Sequence, residues 1–137
     1  MSYDNNNIFA KILRAEIPCF KVYEDEHTLA FMDIMPQADG HTLVIPKYPA
    51  ETLTDIPAAQ LAHTMSTVQK VMQAIKQALG VKGVVLMQLN GSEAGQTVPH
   101  LHFHLIPEHL SKLKGHGAAT GDMEKISALA EQLRAAI

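Results

Sequence analysis

Gly95-Gln-Thr-Val-Pro-His-Leu-His-Phe-His-Leu-Ile-Pro107 carries three of the chain's eight histidines, at positions 100, 102 and 104. Leu101 and Phe103 lie between them and Leu105 follows. Strict alternation of this kind predicts a β-strand, because successive side chains of an extended chain leave on opposite faces. His100, His102 and His104 then share one face, while Leu101, Phe103 and Leu105 enter a core. A core gains little from three titratable rings side by side, so the pattern points to chemistry.

Three readings of the stretch compete. In the first, the histidines merely occupy a solvated sheet face, which makes their two-residue spacing a coincidence. The second is a metal site, since imidazole is the commonest protein ligand for zinc. At a rise of about 3.3 Å per residue the outer two Cα atoms lie roughly 13 Å apart. One zinc with ligands at about 2.0–2.1 Å is therefore out of reach of all three on a straight strand. Two of them, helped by His41 or Glu93, remain able to hold a metal. The third reading is catalysis: neutral imidazole is a nucleophile, a competent leaving group and a proton carrier near neutral pH. Gln96 and Thr97 add neutral donors and acceptors just upstream, and Gly91 and Gly95 allow close backbone approach to a ligand. Donors without an acidic cluster suit a phosphate or phosphoanhydride. The residues by themselves carry the reading to nucleophilic or acid–base chemistry on an anion.

Composition narrows the partners. The 137 residues suffice for one domain with one core, taken as 1–137, with the main body over 8–107 and a C-terminal segment and helix over 108–137. A formal charge of −3 offers no polyanion-binding field, so no nucleic-acid polymer is expected, whereas a small phosphorylated ligand is compatible with it. Cys19 is the single cysteine, which excludes a disulfide framework and a cysteine zinc cluster. The first residues show neither a basic leader nor an apolar run, and no apolar stretch reaches membrane-spanning length. A cytoplasmic protein without membrane contact is the expectation.

Working outward from the histidines, the spacing predicts eight elements. A short helix capped by Asn5 to Asn7 carries Ile8, Phe9, Ile12 and Leu13 and ends at Ile17-Pro18. Residues 19–24 and 28–34 alternate as a hairpin, and 41–46 form an apolar central strand after a loop whose Gly40 supplies a positive φ. Between Pro57 and Leu79 a stripe of Leu61, Met65, Val68, Met72, Ile75 and Leu79 predicts a long helix, closed by Gly80. His63 lies off that stripe, in solvent. A strand over 83–89, a loop over 90–95 and the histidine strand follow. Residues 108–121 read as an irregular surface segment or lid, and Asp122 caps a last helix bearing Ile126, Leu129, Leu133 and Ile137. The order predicts an α+β fold: a mainly antiparallel sheet of about five strands, one long helix and shorter terminal helices.

His100-Leu-His-Phe-His-Leu-Ile106 resembles the histidine triad (HIT) motif, His-x-His-x-His-x-x with apolar x. The resemblance extends through Ile8-Phe-Ala-Lys-Ile12, Glu16-Ile-Pro18, Ala30-Phe-Met-Asp-Ile34, Pro36-Gln37, Gly40-His-Thr-Leu-Val-Ile-Pro-Lys47 and Asn90-Gly-Ser-Glu-Ala-Gly-Gln-Thr-Val98. It implies a HIT-like fold and a hydrolase or transferase acting at the α-phosphorus of a nucleoside phosphate derivative, without a cofactor. By the same resemblance His102 is the nucleophile and forms a nucleotidyl-imidazole. A carbonyl near His100 sets the His102 tautomer, His104 contacts the α-phosphate, and His41 and His100 support the site. Thr97 and Gln96 meet phosphate or leaving-group oxygens beside Gly95, Asn90 lies near the phosphate, and Asp33 binds the ribose hydroxyls. Ile8, Phe9, Ile12, Met32 and Ile34 sandwich a purine base.

Family members typically pair as homodimers, so a second copy is the expected partner, besides a purine nucleotide or nucleotide conjugate. Many bacterial members carry cysteines around Phe9 that, with a histidine, hold a structural zinc. Asn7 and Ala10 stand there, so no metal is expected. Tyr48-Pro49 replaces a histidine found in some relatives. His109, Lys112, Lys114 and His116 are read as solvated surface, with contact to a leaving group as the alternative. Gly95-Gln-Thr-Val98 resembles the dinucleoside polyphosphate-cleaving branch, and Phe31-Met-Asp-Ile34 the phosphoramidase branch. The rival functions are a nucleotide-sensing adaptor with negligible turnover and a metal-dependent enzyme using two triad histidines.

Overall fold

Thr42–Pro46, which forms strand β3, is buried at every position. Such a run is covered on both faces, and the structure, a computed structural model describing residues 3–113 and 119–137, shows by what. Among the described residues β3 is the middle strand of one five-stranded antiparallel sheet. The order is β1 (Lys21–Glu24), β2 (Thr28–Met32), β3, β5 (Phe103–Ile106) and β4 (Val85–Met87). Helices α2 (Ala58–Leu79) and α3 (Met123–Ala136) pack on one face, where Ala30, Val44, Leu101, Phe103 and Leu105 form the main core with Val71, Ile75, Ile126 and Leu133. On the other face Leu29, Phe31, Leu43 and Ile45 meet Phe9 of the short helix α1 (Ile8–Leu13). The period-2 alternation of β2 and β3 thus supplies two cores from one sheet. None of the described helices is long and apolar enough to cross a membrane.

The α+β architecture read from the sequence is the observed one, while several ends differ. Helix α1 closes at Leu13 rather than at Ile17-Pro18. Ala15 adopts φ 61°, and the Glu16 amide reaches back to the Lys11 carbonyl at 2.9 Å, a Schellman-type closure made without glycine. β2 stops at Met32 because Asp33 Oδ1 accepts the Met35 amide at 2.8 Å and turns the chain. The first and fourth strands are likewise shorter than the alternation over 19–24 and 83–89 suggested. In α2 the buried side chains include Thr64, Thr67, Val71 and Ala74 with Val68 and Ile75, whereas Leu61, Met65, Met72 and Leu79 only flank the core. The helix is therefore rotated from its apolar stripe. Threonine can face inward because Thr67 Oγ1 meets Thr28 Oγ1 at 2.7 Å and Thr64 Oγ1 donates to the Gln60 carbonyl at 2.9 Å.

The histidine strand departs most. Regular pairing starts at Phe103, and its register sets Leu43 opposite His104 and Val44 opposite Phe103. Upstream the ladder has no donor to use, since Pro46 lacks an amide proton, and the Pro46 carbonyl is bound by His100 Nε2 at 2.8 Å. Beyond β5, His109 and Lys112 are exposed around a 3₁₀ turn at Leu110–Lys112. Lys114 and His116 lie outside the described residues.

Gly40 precedes His41 with φ +93°, and a Cβ there would stand 2.6 Å from Leu79 Cδ1 and 3.1 Å from Pro107 Cγ. Gly40→Ala is expected to cost about 2–4 kcal/mol from the left-handed backbone and the crowding together. Urea unfolding checks this as a lower midpoint at unchanged slope.

Candidate active site

Alternation does place Leu101, Phe103 and Leu105 in the helix-side core and His100, His102 and His104 on the other side. The three rings are not an exposed row. They are 0 %, 5 % and 2 % exposed, and only His102 and His104 line the neighbouring cavity of about 380 Å³. Its wall also holds Ile8, Phe9, Ile12, Met32, Asp33, Ile34 and Thr97, all expected at a ligand site. Ile17, Pro18, Cys19, Phe31, Met35, Leu43 and Val98 join them. These additional residues come from a turn, strand ends and buried strand positions, where an apolar side chain reads as core packing whether or not a cavity opens beside it.

Protons can be assigned from the partners, because a carbonyl only accepts and a backbone amide only donates. His102 Nδ1 lies 2.6 Å from the His100 carbonyl and so carries the ring proton, which leaves the lone pair of the neutral ring on Nε2. His100 Nε2 likewise donates to the Pro46 carbonyl. Next to His104 the Gln37 amide donates to His41 Nδ1 at 3.0 Å. His41 therefore bears its proton on Nε2, which faces His104 Nδ1 at 3.0 Å and Asp33 Oδ2 at 3.4 Å. His104 Nδ1 accepts, and Nε2 is its proton-bearing nitrogen. Two adjacent imidazoles, with ring centroids 4.9 Å apart, thus present opposite characters: His102 a lone pair, His104 a donor.

Ligand nitrogens and oxygens of Asp33, His41 and His104 lie within 4.8 Å of one another, close enough to surround a metal ion. That cluster contains one triad histidine and not two, and Glu93 stands apart on an exposed 3₁₀ turn. Its chemistry opposes ligation. To bind through Nε2, His41 would have to move its proton to Nδ1, directly against the Gln37 N–H. The three residues are arranged as a hydrogen-bond relay.

Gln96, Asn90 and Gly95, also expected at the ligand site, are not part of the cavity wall. Gln96 is buried with its amide fully engaged: Oε1 accepts from Gly91 N at 2.7 Å, and Nε2 donates to the Glu51 and Val98 carbonyls at 2.8 and 3.0 Å. It braces the loop that carries Thr97. Asn90 is exposed, and its Oδ1 accepts the Leu53 amide at 2.8 Å, tying the same loop to the turn at Leu53–Asp55. Gly91 and Gly95, at φ +93° and +106°, make the 3₁₀ turn between them possible, and Gly95 is not part of the cavity wall. Buried polar groups take backbone partners when these are near, and sequence does not show which are near.

The HIT domain family matches residues 14–110 of the chain. Adenosine 5'-monophosphoramidase HNT1 of Saccharomyces cerevisiae is 40% identical over 131 residues, covering 93% of this chain and 80% of the yeast protein. Adenylylsulfatase HINT3 of Arabidopsis thaliana is 41% identical over 103 residues, covering 75% of this chain and 52% of that protein. The crystal structure of a Hit-like protein involved in cell-cycle regulation from Bartonella henselae superposes with a TM-score of 0.87 at 46% identity, over 99% of this chain and 100% of that one.

Burial pulls the His100 imidazole from its ordinary 6.5 to about 4, with help from the neighbouring His102 and against the Pro46 hydrogen bond. A depressed histidine favours the folded state above its unfolded value and loses that advantage as pH falls through the window between the two. Stability is therefore expected to drop by up to about 3 kcal/mol between pH 6.5 and 4 from this residue and to level below. Urea unfolding across that range checks it, with His100→Gln lacking this part of the slope.

Proposed function

The chain belongs to the HIT family, and from that premise we propose that it is a nucleotide hydrolase working at the α-phosphorus of a nucleoside 5'-phosphate derivative. The observation that carries the reading is the His102 ring at the cavity wall, held by the His100 carbonyl at 2.6 Å so that its lone pair is on Nε2. In the first step His102 Nε2 forms a bond to phosphorus as the bond to the leaving group breaks. The leaving group departs with its electron pair and takes a proton. The phosphorylated ring is cationic, and the Nδ1–H bond to the His100 carbonyl strengthens as that charge develops, so the contact stabilises the transition state more than the ground state. His104 Nε2–H suits a non-bridging phosphate oxygen. In the second step water attacks phosphorus, the P–N bond breaks, and His102 recovers its lone pair as nucleoside monophosphate and a proton leave.

The wall divides in keeping with such a ligand. Ile8, Phe9, Ile12, Phe31 and Ile34 offer an apolar slot for a purine, and the Asp33 carboxylate at its edge can accept both ribose hydroxyls. The names of the yeast and Arabidopsis relatives, a phosphoramidase and an adenylylsulfatase, favour a small leaving group over a second nucleotide. A homodimer belongs to the same reading, with Leu86 exposed on the edge strand β4 as a supporting feature.

Adenosine phosphoramidate, adenylyl sulfate and diadenosine tetraphosphate, each assayed with and without a chelator, test the proposal. Turnover is expected for the first two at rates the chelator leaves unchanged, and His102→Ala is expected to lose at least about a thousandfold. A neutral denaturing quench should show one nucleotidyl group on His102 by mass spectrometry. Chelator-sensitive turnover would move the reading to a metal enzyme, and tight nucleotide binding without turnover to a sensor. Asp33→Asn should raise KM about tenfold with little change in kcat, the signature of lost uniform binding.

A further inference from the structure

His100 is completely buried and does not line the cavity, yet its carbonyl is what orients His102. Its own ring is anchored at both nitrogens. Nε2 donates to the Pro46 carbonyl at 2.8 Å, at the end of β3. Nδ1 is met by the hydroxyl of Tyr3, 97 residues away in sequence. The Pro46 bond sets the direction of that second contact: with the ring proton on Nε2, Nδ1 bears the lone pair and accepts from the Tyr3 hydroxyl, whose oxygen in turn accepts from Asn7 Nδ2 at 2.8 Å. Asn7 is itself buried and held by its Oδ1, which caps α1 through the Ala10 amide at 2.9 Å. The Tyr3 ring lies edge-on to His100 with centroids 5.6 Å apart. Tyr3 and Asn7 both precede residue 14, where the family match begins.

We propose that Tyr3 is a positioning residue for the His102 nucleophile, its hydroxyl anchoring the buried His100 ring at Nδ1 and thereby holding the carbonyl that aims His102. The inference rests on the nucleotidyl-transfer reading above. The Pro46 carbonyl requires the ring proton on Nε2, so Nδ1 is a buried acceptor, and the Tyr3 hydroxyl is what satisfies it. With both nitrogens bonded, His100 is held between β3 and the N-terminal segment. Without the hydroxyl that acceptor is buried and unsatisfied, the ring shifts from its place against Pro46, and the His102 acceptor moves with it. Displacement of this kind degrades attack geometry and not nucleotide binding, because the cavity wall is made by other residues. Burial also raises the Tyr3 phenol above its ordinary value, so it remains a donor at neutral pH.

Tyr3→Phe in the full chain tests this, since it keeps the ring and removes only the hydroxyl. Long-range proton–nitrogen NMR correlation reads the His100 Nδ1 resonance without reference to activity, and single-turnover kinetics with adenosine phosphoramidate read nucleotidylation of His102. Both proteins are expected to show the Nε2–H tautomer at His100, with the Nδ1 resonance of Tyr3→Phe displaced toward that of an imidazole nitrogen without a hydrogen bond. Nucleotidylation should slow about tenfold at a KM within twofold of wild type. An unchanged Nδ1 resonance, or a nucleotidylation rate within twofold of wild type, overturns the proposal. So does a loss confined to thermal stability, which would make Tyr3 a packing residue. A wild-type protein that forms no nucleotidyl-enzyme overturns the functional reading first and the positioning role with it, and the two failures are told apart by the wild-type measurement.

Discussion

The register between β3 and β5 pairs Leu43 with His104 and Val44 with Phe103, and side-chain parity does the rest. Because neighbouring residues leave a strand on opposite faces, this register sends Leu101, Phe103 and Leu105 under the helices and the three histidines to the α1 side. It also brings His41, just before β3, beside His104, and Pro46, at the end of β3, beside His100. A slip of one residue would bury the imidazoles in the main core and expose its leucines. The hydrophobic requirement of α2 and α3 therefore holds the chemistry in register. Fold stability and site geometry rest on the same pairing.

What distinguishes the three histidines is the polarity of what each one touches. His102 meets a carbonyl and must donate from Nδ1, whereas His41 meets a backbone amide and must accept. From these two constraints the opposite hydrogen-bond characters of His102 and His104 follow, although the side chains are identical. The acceptor and donor that impose them are backbone groups, held by the strand and loop conformations around them. Preorganisation of this sort needs no rearrangement when charge develops.

Segments remote from the triad keep those backbone groups in place. The loop that carries Asp33, Ile34, Met35 and Gln37 is fastened from the far end of the chain. The Gly121 amide donates to the Ile34 carbonyl at 2.8 Å, and Lys125 Nζ lies 3.4 Å from Asp39 Oδ2. Gly121 packs so tightly that a Cβ there would fall 2.8 Å from Pro36 Cδ. The Thr97 loop is fastened by Gln96 in the same way.

The sequence by itself determined the α+β architecture, because alternation and helical periodicity report which side of an element must avoid water. It also singled out the histidine stretch, since that spacing is local, and Ile8, Phe9, Ile12, Met32 and Ile34, which line the cavity beside it. It misplaced the buried face of α2, where Thr64 and Thr67 turn inward on hydrogen bonds that periodicity cannot see. It did not show that the Gln96 amide is taken up by backbone groups or that the Asn90 oxygen accepts the Leu53 amide. Tyr3 carried no signal at all, as its partner lies 97 residues on. Only the tertiary structure decided the protonation pattern, the burial of His100 and the grouping of Asp33, His41 and His104. Those depend on which groups meet across the sheet, and a hydrogen bond's direction is a property of the pair, not of either residue.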